Sequence, residues 1–207
     1  RGIRGSSGFR GSPGQTGSLV QDPLLQASVL RGPSGALALD SETDRRLSEL
    51  FPGGRPTRWV TREQPKIDRL ACPWLIRRFL EPEAEILYVP TPAVFEAAER
   101  EGAIVFDLPG APFSHVGDLC SFDAFLTHFG LVDPGLERLA LIVRGADTDR
   151  HDLAPEAAGL HAVSLGLSLT HSDDQALLAQ GLVLYDALYA WSLNPDRERH
   201  AWRPADL

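Results

Sequence analysis

From Arg58 onward, the order of apolar and polar residues changes character every few positions. Arg58-Trp59-Val60-Thr61-Arg62 alternates the two kinds and includes β-branched residues, which predicts a strand. Ile67, Leu70, Ala71, Trp74, Leu75 and Phe79 then recur at helical spacing, interrupted by Pro73. A proline inside a helix costs ~3 kcal/mol, so Cys72-Pro73 is expected to cap one segment and start a fresh helix. Glu85 to Val89 reads as a second strand, Val94 to Arg100 as a helix and Ala103 to Phe106 as a third strand. The third is apolar enough to be buried on both faces.

The second half of the chain is helical in pattern. A short helix is predicted over Phe122 to Phe129, and Asp133-Pro134 caps another through Leu136, Leu139, Ala140 and Val143. Leu153 to Leu169 is a further helix, with Gly159 and Gly166 inside it. Ser172 and Gln175 have capping-box spacing and open a last helix carrying Leu178, Leu182, Tyr185, Leu188 and Tyr189, ending near Trp191. Strands alternating with helices imply right-handed crossovers. The expected fold class is α/β, with α+β as the alternative: a small parallel or mixed sheet in the first half and a helical second half. Residues 58–192 form the expected domain.

Residues 1–57 are expected to be a disordered tail and linker. Glycine occupies every third position from Gly2 to Gly17, a collagen-like register that stops too soon and holds too little proline for a triple helix. Asp40 to Asp44 is expected to open a short helix through Leu47, Leu50 and Phe51, stopped by Pro52-Gly53-Gly54. Residues 193–207 read as a polar C-terminal tail.

Composition narrows the class. The 207 residues are 43% hydrophobic and 23% charged, as in ordinary globular proteins. No run approaches the ~20 apolar residues that cross a bilayer, so no membrane partner is expected. Polar breaks between Ser18 and Leu30 leave no secretory core. Two cysteines, Cys72 and Cys120, suit a reduced cytoplasmic compartment. A net charge of −8 argues against a nucleic-acid surface, and direct DNA binding is not expected. Yet between Arg58 and Leu80 six bases, Arg58, Arg62, Lys66, Arg69, Arg77 and Arg78, stand against Glu63 and Asp68 alone. This is either a solvated face or an anion site.

Candidate chemistry clusters in three places. Asp107 follows the third strand and opens a loop to His115, and ligands of α/β sheets bind beyond strand carboxyl ends. His115, Cys120 and Asp123 are dense in ligand-capable groups and suit a divalent metal such as zinc, although a fourth ligand must come from elsewhere. Cys120 near His115, or Cys72 at a helix start near Arg69 and Arg77, is equally open to reading as an activated thiolate or as a buried apolar residue. Arg144 at a helix end clamps an oxyanion or Asp147 in one reading; in the other it complements the dipole, with Gly145 as left-handed cap. Asp173 and Asp174 complement the next helix's dipole, and Asp186 interrupts the apolar last helix. His128, His151, His161, His171 and His200 form no recognisable pattern, and no nucleotide-binding glycine loop, nucleophile elbow or HExxH occurs.

Several stretches together resemble a known family. They are Trp59-Val60-Thr61-Arg62-Glu63, Asp68 to Phe79, Ser114-His115, Cys120-Ser121-Phe122-Asp123, Ile142 to Thr148 and Tyr185 to Trp191. In this order they are similar to the C-terminal domain of the chromate resistance protein ChrB. The resemblance implies a role in bacterial chromate resistance or response, and family members with a further N-terminal domain are tied to control of an efflux operon. Residues 1–57 are too short and glycine-rich to replace that domain.

The leading expectation is a sensor or accessory domain that binds chromate or a related oxyanion. Its expected binding residues are Arg62, Lys66, Asp68, Arg69, Cys72, Arg77, Arg78, Asp107, Arg144, Asp147 and Asp186, and a homo-oligomer is compatible with it. The alternative is a metal- or thiol-dependent enzyme of chromate or oxidative-stress detoxification, built on His115, Cys120 and Asp123.

Overall fold

In the computed structural model the described residues are Arg45, Ser48, Glu49, residues 51–54 and residues 56–193. The glycine-register tail and residues 194–207 lie outside them. Of the short helix expected before Pro52, only Arg45, Ser48 and Glu49 are described, and all three are helical.

The strands are β1 (Arg58–Arg62), β2 (Glu85–Val89) and β3 (Ile104–Val105), all parallel in the order β2-β1-β3. The α-helices are α1 (Ile67–Leu75), α2 (Val94–Glu101), α3 (Ser121–Phe129), α4 (Pro134–Asp147), α5 (Ala157–Thr170) and α6 (Asp174–Leu193). The fold is therefore α/β, with a small parallel sheet in its first half and a helical second half.

Period-two alternation sorts β1 between two layers. Trp59 enters the main core with Phe113, Phe125 and the helices, while Val60 packs on the other face with Val94 and Ala97 of α2 and with Val105. The sheet is covered on both sides, as parallel sheets require. Because β1 leads to β2 on one flank and β3 lies on the other, the order of connection across the parallel sheet reverses between β1 and β3. Their carboxyl ends flank the topological switch point.

Pro73 does not start a new helix. It lies inside α1, which continues into a π-helical turn over Ile76–Leu80. A proline at 73 leaves the Arg69 carbonyl without its helical donor, and the Tyr88 hydroxyl on β2 donates to that carbonyl at 2.8 Å. A tertiary hydrogen bond thus offsets what local propensity forbids.

Two further local expectations change. Asp173, not Ser172, caps α6 by accepting from Ala176 N at 2.7 Å, and Gln175 donates instead to the Ile86 carbonyl at 2.8 Å. Gly145 is not a left-handed cap but sits within α4, where a Cβ would meet Ala157 Cβ and the Arg150 carbonyl at 2.9 Å each. The fifth helix starts at Ala157, after Pro155, rather than at Leu153.

At 20 residues, α6 is long and apolar enough to cross a bilayer by length and composition, contrary to the reading of the sequence. Here it packs on α1 and α4, burying Leu177, Leu178, Gly181, Tyr185 and Tyr189.

Candidate functional site

Four acidic or imidazole side chains meet beyond the carboxyl edge of β1 and β3. Asp107 follows β3, His115 comes from the long loop, Asp68 stands in the first turn of α1 and Asp147 ends α4. His115 Nε2 lies 3.2 Å from Asp147 Oδ2, 3.4 Å from Asp68 Oδ2 and 3.6 Å from Asp107 Oδ1. Asp68 and Asp107 are buried, whereas His115 is half-exposed and forms the solvent side of the group.

The two buried carboxylates are fixed from outside. Ser121, the first residue of α3, donates its backbone N–H to Asp68 Oδ2 at 2.6 Å and its hydroxyl to Asp107 Oδ1 at 2.8 Å. Arg62, at the end of β1, donates to Asp107 Oδ2 at 2.9 Å, and Arg69 Nε lies 3.4 Å from the same oxygen. Arg69 is itself tied to the Glu63 carbonyl at 2.8 Å. Asp107 has φ +53°, a left-handed conformation that aspartate tolerates better than most residues. Such backbone outliers cluster at functional sites.

The two buried carboxylates are pushed apart in acidity. Burial raises Asp68 to about 6, despite the neighbouring His115 imidazole. Burial also acts on Asp107, but His115, Ser121 and Arg62 outweigh it and hold this carboxyl below its usual range. Asp107, Asp147 and Asp68 together push His115 up to about 12.

The remaining sequence candidates lie apart from this group. Lys66 is exposed at the start of α1. Arg77 donates to the Ala84 carbonyl. Arg78 forms a bidentate pair with Asp186, which also accepts from the Trp74 indole, so this acid clasps α6 to the α1 segment. Arg144 grips Asp123 through two hydrogen bonds of 2.8 and 2.6 Å, rather than Asp147. Asp123 also accepts from Cys120 N. His115, Cys120 and Asp123 therefore face different partners. Both thiols are buried in the core, and burial raises each above its ordinary value, the reverse of activation.

Sequence reasoning named Asp68, Asp107, Asp147 and His115 but divided them between an anion site and a metal site. It missed Ser121, whose place directly after Cys120 at a helix start was the available signal.

Residues 59–192 match the family model described as ChrB, C-terminal domain. The chain is also 38% identical over 140 residues to Protein ChrB of Cupriavidus metallidurans, covering 66% of this chain and 41% of that protein. No solved structure matches. The chain thus spans about two fifths of the length of its curated relative.

Proposed function

We propose that this chain, which belongs to the ChrB C-terminal domain family, serves chromate resistance by binding a divalent metal cation through Asp68, Asp107 and His115, with Asp147 beside the imidazole. The observation that carries this reading is the set of distances around His115 Nε2. One N–H cannot satisfy three carboxylate oxygens, and separations of 3.2, 3.4 and 3.6 Å are at or beyond the end of the hydrogen-bond range. They fall within the ~2.8–3.6 Å between neighbouring ligand atoms each about 2.0–2.2 Å from a shared cation. Asp68 Oδ1, buried and without a hydrogen-bond partner, is a further lone-pair donor here. Ser121, Arg62 and Arg69 fill the outer-shell role of orienting ligand carboxylates.

Two buried carboxylates and one imidazole, with a third carboxylate beside the ring, favour a hard or borderline cation such as manganese or zinc over a soft one. A free dianion such as chromate fits less well. Each carboxylate about 4 Å away would repel a unit charge by about 4 kcal/mol at an effective dielectric of 20. The arginines expected to attract it are already engaged with Asp107, Ala84 and Asp186. One feature favours an oxyanion as a second reading: Arg62 Nε is buried and has no partner.

Isothermal titration of chelator-treated protein separates the readings. Manganese should give saturable heat that Asp68→Asn abolishes, while this isostere retains the fold and the Ser121 contact. Chromate alone should give none. Heat from chromate in the absence of metal, lost on Arg62→Gln, would replace the cation reading by the oxyanion one. Heat from neither ligand would leave a charge-balanced structural network.

A further inference from the structure

A second cluster lies in the turn after α4, where sequence spacing shows no pattern. Asp149 and His151 belong to the α4–α5 connection and His161 to α5. His151 Nε2 lies 3.2 Å from His161 Nδ1, and Asp149 Oδ1 lies 3.5 Å from the latter and 3.8 Å from the former. The three ligand atoms thus form one compact triangle.

A hydrogen bond between the rings accounts for the shortest edge only. The other two are too long for N–H···O bonds, yet the carboxylate oxygen sits beside both nitrogens. Around a tetrahedral zinc with bonds of about 2.0–2.1 Å, neighbouring ligand atoms lie about 3.3–3.4 Å apart. The rings meet at 80°, so each nitrogen approaches the triangle from its own direction. Arg150, between the two loop ligands, is turned away to form a bidentate pair with Asp152. Asp149 holds φ +57°, a second aspartate in the left-handed region.

We infer that Asp149, His151 and His161 form a surface site for a borderline divalent cation of the zinc type, with its fourth position open to solvent. It differs from the group at the switch point in chemistry: two imidazoles and one carboxylate, rather than two carboxylates and one imidazole. Nitrogen-rich sets favour zinc, nickel or copper over manganese. Asp149 is 82% exposed, so water or an exogenous donor completes the coordination. The inference stands independently of the metal reading at Asp68.

Untagged, chelator-treated protein should be titrated with zinc and with cobalt(II). The wild type should bind a zinc equivalent that Asp68→Asn retains and His161→Ala loses. Cobalt should give the intense visible bands of a tetrahedral complex, also lost in His161→Ala. Asp149→Asn, which keeps the left-handed turn, should weaken uptake without altering the fold. In imidazole nitrogen spectra, His151 Nε2 and His161 Nδ1 should shift at stoichiometric zinc. Unmoved resonances, or a full zinc complement in His161→Ala, would overturn the inference.

Discussion

Cys120 shows why residue type is a weaker guide than surroundings. It stands between His115 and Asp123 in a spacing that suggests a thiolate or a ligand, yet its sulfur belongs to the core and burial pushes its pKa well above that of an ordinary thiol. Cys72 behaves likewise on α1. Neither thiol should react with an aromatic disulfide reagent in the native protein, and both should react once it is unfolded in denaturant. Rapid labelling of a native thiol would contradict their burial. The acids divide in the same way: Asp123 is neutralised by Arg144, while Asp68 has one oxygen bonded to Ser121 and the other without a partner.

Two elements are shaped by contacts that a local reading cannot price. In α4, alanine at 145 would be favoured over glycine by roughly 1 kcal/mol of helix propensity. The added Cβ would stand 2.9 Å from a backbone oxygen and from Ala157 Cβ, and neither is a flexible side-chain end. Overpacking of this kind costs about 1–3 kcal/mol, so Gly145→Ala should lower stability in urea unfolding despite the better propensity. In α1, Tyr88→Phe removes the donor to the carbonyl exposed by Pro73. The part-buried oxygen then lacks its partner, and a loss of about 1–3 kcal/mol is expected in the same measurement. A neutral result for Tyr88→Phe would show that α1 tolerates its proline without help from β2.

Over the whole molecule, the charged network at the switch point couples to folding. Asp107, Asp147 and Asp68 raise the His115 pKa from its ordinary 6.5 to about 12. The folded form therefore holds this proton more tightly than the unfolded chain. Its stabilisation is fully present below pH 6.5 and is lost as pH rises toward 12. Asp68 acts at lower pH: its raised value makes stability fall as pH rises from 3.8 to about 6. Above pH 7 the His115 contribution declines steadily, and near pH 9 the two buried thiols, held above their ordinary value, begin to add a loss of the same sign, so melting temperature should decline between pH 7 and 10 and His115→Gln should make that decline shallower. Half-exposure of the imidazole screens the pairs and keeps the slope shallow. A wild-type profile as flat as that of the variant would remove His115 from the network.

Much of the fold is legible in the residue pattern, because strand alternation and helical spacing are local properties. Arg58–Arg62, Glu85–Val89 and the spans of α2, α3 and α6 follow from hydrophobic period, and the α/β class follows from their order. Asp107 was identifiable as a candidate by its place after a buried strand. What the sequence cannot express is which distant groups share a partner. Asp68 and Asp147 lie on different helices and meet only because α1 and α4 pack together. Arg144 turns to Asp123, Arg78 to Asp186, and the basic segment that reads as one surface is dispersed among separate acceptors. His151 and His161 come together through a left-handed turn at Asp149 that has no periodic signature. Period is determined by neighbours along the chain, whereas convergence depends on three-dimensional packing, and here packing alone decided which of these side chains meet.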